Sequence, residues 1–215
     1  MIYMQRALRL PVRVWKNIQW ERKRQVVESE LACFPRPYKL HLGCGPVQFD
    51  GWVNMDLNKA LSCADIEWDL NNGIPFPDAS CLFLYSEHLF EHFAVEAGVR
   101  LMRECYRVLA PGGVMRIAMP SLDFLIEQAC NGHWRDQDWL NWPQYKFIRT
   151  RAEMLNIVFR WWGHQWIYDQ EELRRRLREA GFQKIRTPGW GASEIPELRD
   201  RETRKDSMLI CEAEK

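Results

Sequence analysis

A chain of 215 residues, 47% hydrophobic and 27% charged, is long enough for one α/β domain with a substantial core and short for two independent ones. A formal net charge of +1 gives no global attraction to nucleic acid, and no apolar run reaches the ~18 residues of a membrane-spanning helix. Seven cysteines, an odd number without a C-x-x-C pair, fall mostly inside apolar segments and predict a reducing compartment. With no secretory-type apolar core near residue 1, the expected location is cytoplasmic.

Residues 1–36 differ from the rest, with eight basic against three acidic side chains, a net +5 that leaves −4 for the remainder. Leu8, Val12, Trp15 and Ile18 recur at helical spacing, with Pro11 starting or breaking a turn, so a basic helical extension is expected. Its expected fate is packing on its own domain with a solvated basic face. The alternative is peripheral contact of residues 1–24 with an anionic, inner-membrane surface.

From Pro37 to the C-terminus, short apolar runs alternate with helical segments, the pattern of a mostly parallel sheet flanked by helices. Strands are predicted near 38–43, 52–56, 64–68, 81–86 and 113–118. The longest helix fits 94–109, stopped by Ala110-Pro111-Gly112-Gly113. Residues 120–167 hold six of the eleven tryptophans and predict a helical lid or insertion, most rings forming its core and one or two lining a substrate cleft. A helix from Asp169, with Glu172 completing a D-x-x-E cap pattern, ends at Gly181, its Glu171 and Glu172 paired with Arg175 and Arg176. Strands over 183–187 and 207–212 close the chain.

The stretch "HLGCGPVQFDGWVNMDL", residues 41–57, carries the chemistry. A strand that turns at Gly43 and Gly45 brings backbone N–H groups, without Cβ atoms, to the carboxyl edge of the sheet. Asp56, ending the next strand, then faces the same crevice, where a carboxylate accepts the hydroxyls of a ribose. A dinucleotide site needs a third glycine at position 48, where Gln48 stands, and about twenty residues to the acid. No G-K-S/T follows for a phosphate loop. A nucleoside without a diphosphate fits better.

In order along residues 38–187, "LHLGCG", "VNMDL", "WDLNNGIPFPDASCLFLYSEHLFEHF", "LMRECYRVLAPGGVMRIAMP" and "YDQEELRRRLREAGFQKI" resemble the class I S-adenosylmethionine-dependent methyltransferases, of the bacterial small-molecule type related to methyltransferase domain type 11. The resemblance implies a Rossmann-like, seven-stranded, mostly parallel sheet with an antiparallel last strand, and a cofactor that leaves as S-adenosylhomocysteine. It places the methionine part against Gly43, Cys44 and Gly45, the ribose on Asp56, and the adenine near Leu57, Asp69 and Leu70. Ser86, Glu87 and His88 then line the methyl-transfer cleft. His41 replaces the acid and Val47 the third glycine of the common family loop, and the first helix is shortened.

A sulfonium is an activated methyl donor, so orientation and, for a hydroxyl acceptor, removal of one proton remain for the protein. His88, His92 and His164 are the candidates for that base. The expected acceptor is a small molecule, a hydroxyl of a sugar or polysaccharide precursor; DNA is disfavoured because the strand end reads "YSEH" rather than N/D-P-P-Y/F. Two alternatives stand beside this reading. One is a non-catalytic S-adenosylmethionine-binding scaffold; the other is a zinc hydrolase built on "HLFEH", which matches H-x-x-E-H but lacks the long helix and third ligand that motif requires. No metal is expected, and oligomeric state is not readable.

Overall fold

The computed structural model describes the backbone of residues 12–215 and the side chains of residues 22–215. Helix α1 (Val12–Leu31) comes first. Leu8 and Pro11 lie outside the described residues, as do the side chains of Val12, Trp15 and Ile18, and with them most of the expected membrane contact through residues 1–24. Further along α1, Val27 and Leu31 are buried in the main core, while Arg22, Lys23 and Arg24 are exposed. At 20 residues α1 is longer than the 94–109 segment expected to be the longest helix, which forms as α2 (Val95–Val108) with 14.

Seven strands follow: β1 (Tyr38–Leu42), β2 (Val53–Asp56), β3 (Ile66–Glu67), β4 (Cys81–Glu87), β5 (Leu109–Met119), β6 (Lys184–Arg186) and β7 (Leu209–Glu214). They form one sheet in the order β3-β2-β1-β4-β5-β7-β6. Pairing is parallel from β3 through β5, and β7 runs antiparallel to both its neighbours. Both faces of this sheet are covered, which is why its strands read as continuous apolar runs. Leu40, Leu42, Met55, Leu84 and Ile117 join α1, α2 and α5 (Gln170–Ala180) in the main core.

The opposite face is covered differently. Residues 43–52, between β1 and β2, contain no helix at all. Phe49 and Trp52 from that connection pack with Phe83, Tyr85, Val114 and Leu198. Leu198 belongs to the long segment between β6 and β7, which lies where a flanking helix would otherwise pack. Arg201 from the same segment caps the rings of Phe49 and Trp52 at 4.6 and 5.2 Å.

The Ala110–Gly113 stretch does not stop a helix before a strand as expected. Leu109 is already extended and pairs with Cys81, and the next residues paired with β4 are Phe83 and Val114, so Ala110–Gly113 bulges away from β4, with Gly112 at φ +77°, while Gly112 and Gly113 bond Lys215 on the other side at 2.9 and 3.0 Å. Leu109 is fully buried, and a strand partner plus an apolar pocket outweigh the local glycine signal.

Residues 121–160 build a second, smaller cluster. Helix α3 (Leu122–Asn131) is capped by Ser121, whose hydroxyl accepts from the Phe124 N–H, and helix α4 (Arg151–Arg160) by a complete Thr150/Glu153 capping box. Between them lie three single 3₁₀ turns. Leu125, Met154, Ile157 and Val158 fill the interior with Trp134 and Trp139. The expectation that most tryptophans form this core is corrected: Trp142, Trp161, Trp162 and Trp166 are 39–52% exposed. Single turns offer no continuous inward face, so the aliphatic side chains of the two helices supply it instead. Among the described residues no helix is long and apolar enough to cross a membrane.

Candidate functional site

β1 leaves the sheet through Gly43 (φ +66°) and Gly45 (φ +52°), left-handed positions that favour glycine. A Cβ on Gly43 would come 2.8 Å from Leu89 Cδ1, whereas one on Gly45 would meet nothing within 4 Å. Gly43 thus lets the turn pack, and Gly45 presents bare backbone to open space. The N–H groups of this bend are already paired within the protein. Gly43 and Cys44 both donate to the Met55 carbonyl, at 2.8 and 3.1 Å, because the β1/β2 pairing continues one step past the strand end. The Gly45 N–H donates to Asp56 Oδ2 at 2.9 Å. One hydrogen bond therefore joins the two features singled out in the sequence, on the same side of the sheet.

That side opens into a cleft of about 470 Å³, within the range of ~300–1,000 Å³ usual for small-molecule sites. Gly43, Cys44, Gly45, Asp56, Leu57, Asp69 and Leu70 all line it, as do Glu87, His88 and His92. Two expected site residues do not. Ser86 is buried on the main-core side of β4, because successive strand residues alternate and Tyr85 and Glu87 take the cleft side. His164 is also buried, packed edge-on behind His92 with ring centroids 4.9 Å apart. None of the six lid tryptophans lines the cleft; the tryptophan there is Trp68, beside Phe49, Tyr85 and Phe93.

Glu87 faces the cleft without being free to serve it. Its carboxylate accepts from the Thr203 and Arg204 N–H groups at 3.0 Å and from the Ser207 hydroxyl at 2.6 Å. Thr203 and Arg204 are themselves cleft residues that the sequence reading missed. No local pattern marks them; only the long-range bond to Glu87 brings them there. His88 sits at φ +51°, with Nδ1 3.2 Å from Glu91 and Nε2 3.7 Å from Asp206.

Burial pushes His41 down to about 4, so at neutral pH it is an uncharged ring stacked on Phe49 at 4.2 Å, with Nδ1 3.3 Å from the Asn54 side-chain oxygen. Burial raises the Cys44 thiol to about 12, which leaves it protonated and inert as a nucleophile. His164 is likewise held below its ordinary value by burial. For Glu91, burial favours the neutral acid, but His88 beside it and the backbone outweigh that and draw the carboxyl below its usual range. The 88–92 segment forms only one 3₁₀ turn, Phe90–His92, so the two histidines of "HLFEH" do not share the long helix a zinc protease needs.

S-adenosylmethionine fits this arrangement: the unobstructed side of Gly45 and the Asp56 carboxylate face a cavity with room for a nucleoside. Residues 40–117, which span β1 to β5 and so carry the bend, Asp56 and the 88–92 turn, match the family model described as a methyltransferase domain. No curated protein sequence matches the chain. Solved structures do. The S-adenosylmethionine-dependent methyltransferase from Mesorhizobium loti is 18% identical over 87% of this chain and 96% of that one, with a TM-score of 0.50. One from Archaeoglobus fulgidus is 13% identical over 89% and 94%, also at 0.50. PigF with S-adenosylhomocysteine is 14% identical over 84% of this chain and 51% of its own length, at 0.50. At such identities these likenesses show the fold. The family model thus shows a methyltransferase domain over residues 40–117, and the strand order and the solved structures show the fold of S-adenosylmethionine-dependent methyltransferases around it.

Proposed function

We propose that the chain methylates a hydroxyl of a small-molecule acceptor, a sugar or polysaccharide precursor, in the cytoplasm. The observation that carries the cofactor half of this reading is the Gly45–Asp56 hydrogen bond, which holds a bare bend and a carboxylate side by side on the cleft. A carboxylate has about four lone-pair directions. Asp56 uses one on Gly45 and a long 3.3 Å contact on Asn58 N–H, leaving acceptor capacity for two ribose hydroxyls. Leu57 and Leu70 supply apolar surface, and Asp69 an acceptor, for a purine.

The bound cofactor supplies an activated methyl group. The chain's own residues then orient the acceptor oxygen and take its proton. His88 and His92 are the histidines on the cleft wall, and His164 reaches it only through His92. The polar wall opposite, Thr203 and Arg204, offers hydrogen bonds to a hydroxylated acceptor. All seven cysteines are free, which supports the reducing, cytoplasmic setting.

Calorimetric titration with S-adenosylmethionine tests the cofactor half. Asp56→Ala is expected to weaken binding by about 1.5–3 kcal/mol per charge-assisted bond lost, and Asp56→Asn by less. Unchanged affinity in both variants would remove the assignment. Transfer of a labelled methyl group to nucleotide sugars tests the acceptor half, with transfer only to amine acceptors as the opposing result.

A further inference from the structure

We propose that Glu91, His92 and His164 bind one divalent transition-metal ion of the zinc type at the wall of the cleft. Their donor atoms all lie within 4.8 Å of one another. Two separate parts of the chain are fastened together to achieve this. The Gln165 and Trp166 N–H groups donate to the Glu91 carbonyl at 2.7 and 3.2 Å, and the Gln165 side-chain amide donates to the His92 carbonyl at 2.7 Å.

The side-chain chemistry then asks for a cation. Glu91 is 1% exposed, and among the described residues neither of its carboxylate oxygens accepts a hydrogen bond. His88 Nδ1, 3.2 Å from Oε1, compensates it on one side only, and a carboxylate buried with so few partners is a costly arrangement in a protein interior. His164 Nδ1 lies 2.6 Å from the Val158 carbonyl oxygen, which only accepts, so Nδ1 carries the proton and donates it there. A histidine that ligates a metal is characteristically held this way, its second nitrogen N–H fixed on a carbonyl or carboxylate. The other nitrogen, Nε2, is turned toward Glu91 Oε1 at 4.0 Å. That is too long for a hydrogen bond; two ligands bound at about 2.0–2.2 Å to one tetrahedral ion stand roughly 3.3–3.6 Å apart, so the side chains close by about half an ångström to an ångström around it.

Two imidazoles and one carboxylate form a borderline donor set that favours zinc and its transition-metal neighbours over calcium or magnesium. His88 Nδ1, 3.2 Å from Glu91 Oε1, orients the carboxylate from the other side. The ligand pair implied by "HLFEH" is thereby rearranged: Glu91 becomes a ligand, His88 its neighbour, and the third ligand comes from residue 164. His92 lines the cleft, so the open side of the ion faces it. Polarisation of an acceptor oxygen there rests on the methyltransferase reading; the site itself does not.

The full chain, stripped with EDTA, is titrated with Zn²⁺ by calorimetry and with Co²⁺ by visible absorption. One equivalent is expected to bind, with d–d bands for Co²⁺ and a Zn²⁺-dependent rise in the unfolding temperature. Glu91→Gln and His92→Asn are each expected to weaken binding by at least about tenfold, with the exposed control His133→Asn unchanged. His92→Asn, at a partly exposed position, carries the test if Glu91→Gln does not fold. Absence of stoichiometric binding, or equal affinity in the folded variants, overturns the site and leaves a metal-free His–Glu–His cluster. S-adenosylmethionine titrated in EDTA reports on the cofactor cleft separately, so either conclusion can fail without the other.

Discussion

His41 stands where the family loop ordinarily carries an acid, and the fold treats it as an aromatic core residue. It is 2% exposed, stacked on Phe49 and tilted against Tyr85. Its folded-state value of about 4 against an ordinary 6.5 means that, between those pH values, the unfolded chain holds a proton the folded chain refuses. Stability therefore falls as pH drops through that window, and His41 contributes no pH dependence above it. At about 1.4 kcal/mol per pH unit, roughly 2–3 kcal/mol is lost by pH 4.5. Urea unfolding at pH 7 and pH 4.5 is expected to show that loss in the wild type and a smaller one in His41→Phe, which keeps the stack. At this scale Gly43, Gly45 and Asp56 were legible because a positive φ and a strand-end acid leave local marks. Ser86 was misplaced because the sequence does not say which face of β4 meets the cleft.

Elements with a full helical period and caps were the most legible. α5 begins and ends at the expected places: Asp169 accepts the Glu172 N–H at 2.7 Å, and Gly181 takes φ +118°. Its Glu172 pairs with Arg175 and Arg176 at 2.8 and 2.7 Å rather than closing a capping box. The complete box belongs to α4, where Thr150 Oγ1 accepts the Glu153 N–H and Glu153 accepts the Thr150 N–H. Thr150→Ala is expected to cost about 1 kcal/mol. Because α4 shares its small core with α3 and the single turns, faster amide exchange should appear through residues 121–160 and not in β4 or β5. Uniform acceleration across the sheet would show instead that the two clusters unfold as one. The 110–113 bulge was misread for the converse reason: a Pro-Gly-Gly stop signal is local, and the partner that overrode it, Cys81, lies far away in the chain.

Across the whole molecule, one buried ion network fixes the face that lacks a helix. Arg116 on β5 is fully buried and reaches Glu202 at 2.6 Å, Glu212 at 2.7 Å and the Ala192 carbonyl at 2.9 Å. Glu202 also accepts the Gly191 N–H at 2.9 Å. The segment between β6 and β7 is thus pinned to the sheet, and its far end, Thr203–Ser207, is delivered to Glu87 on the cleft. Arg116→Met leaves two buried carboxylates unpaired and is expected to destabilise by about 3–5 kcal/mol in urea unfolding; adding Glu202→Gln and Glu212→Gln should recover much of it. A small effect of the single change would mean that water reaches the network. The amino-acid sequence by itself determined the strand and helix alternation, the glycine bend and its partner acid, because periodicity and backbone permissiveness act over a few residues. Only the tertiary structure decided what covers the open face, which wall closes the cleft and which groups surround Glu91. Those depend on contacts between residues far apart in the chain, such as Glu87 with Thr203 and Glu91 with His164, and no local pattern encodes such distances.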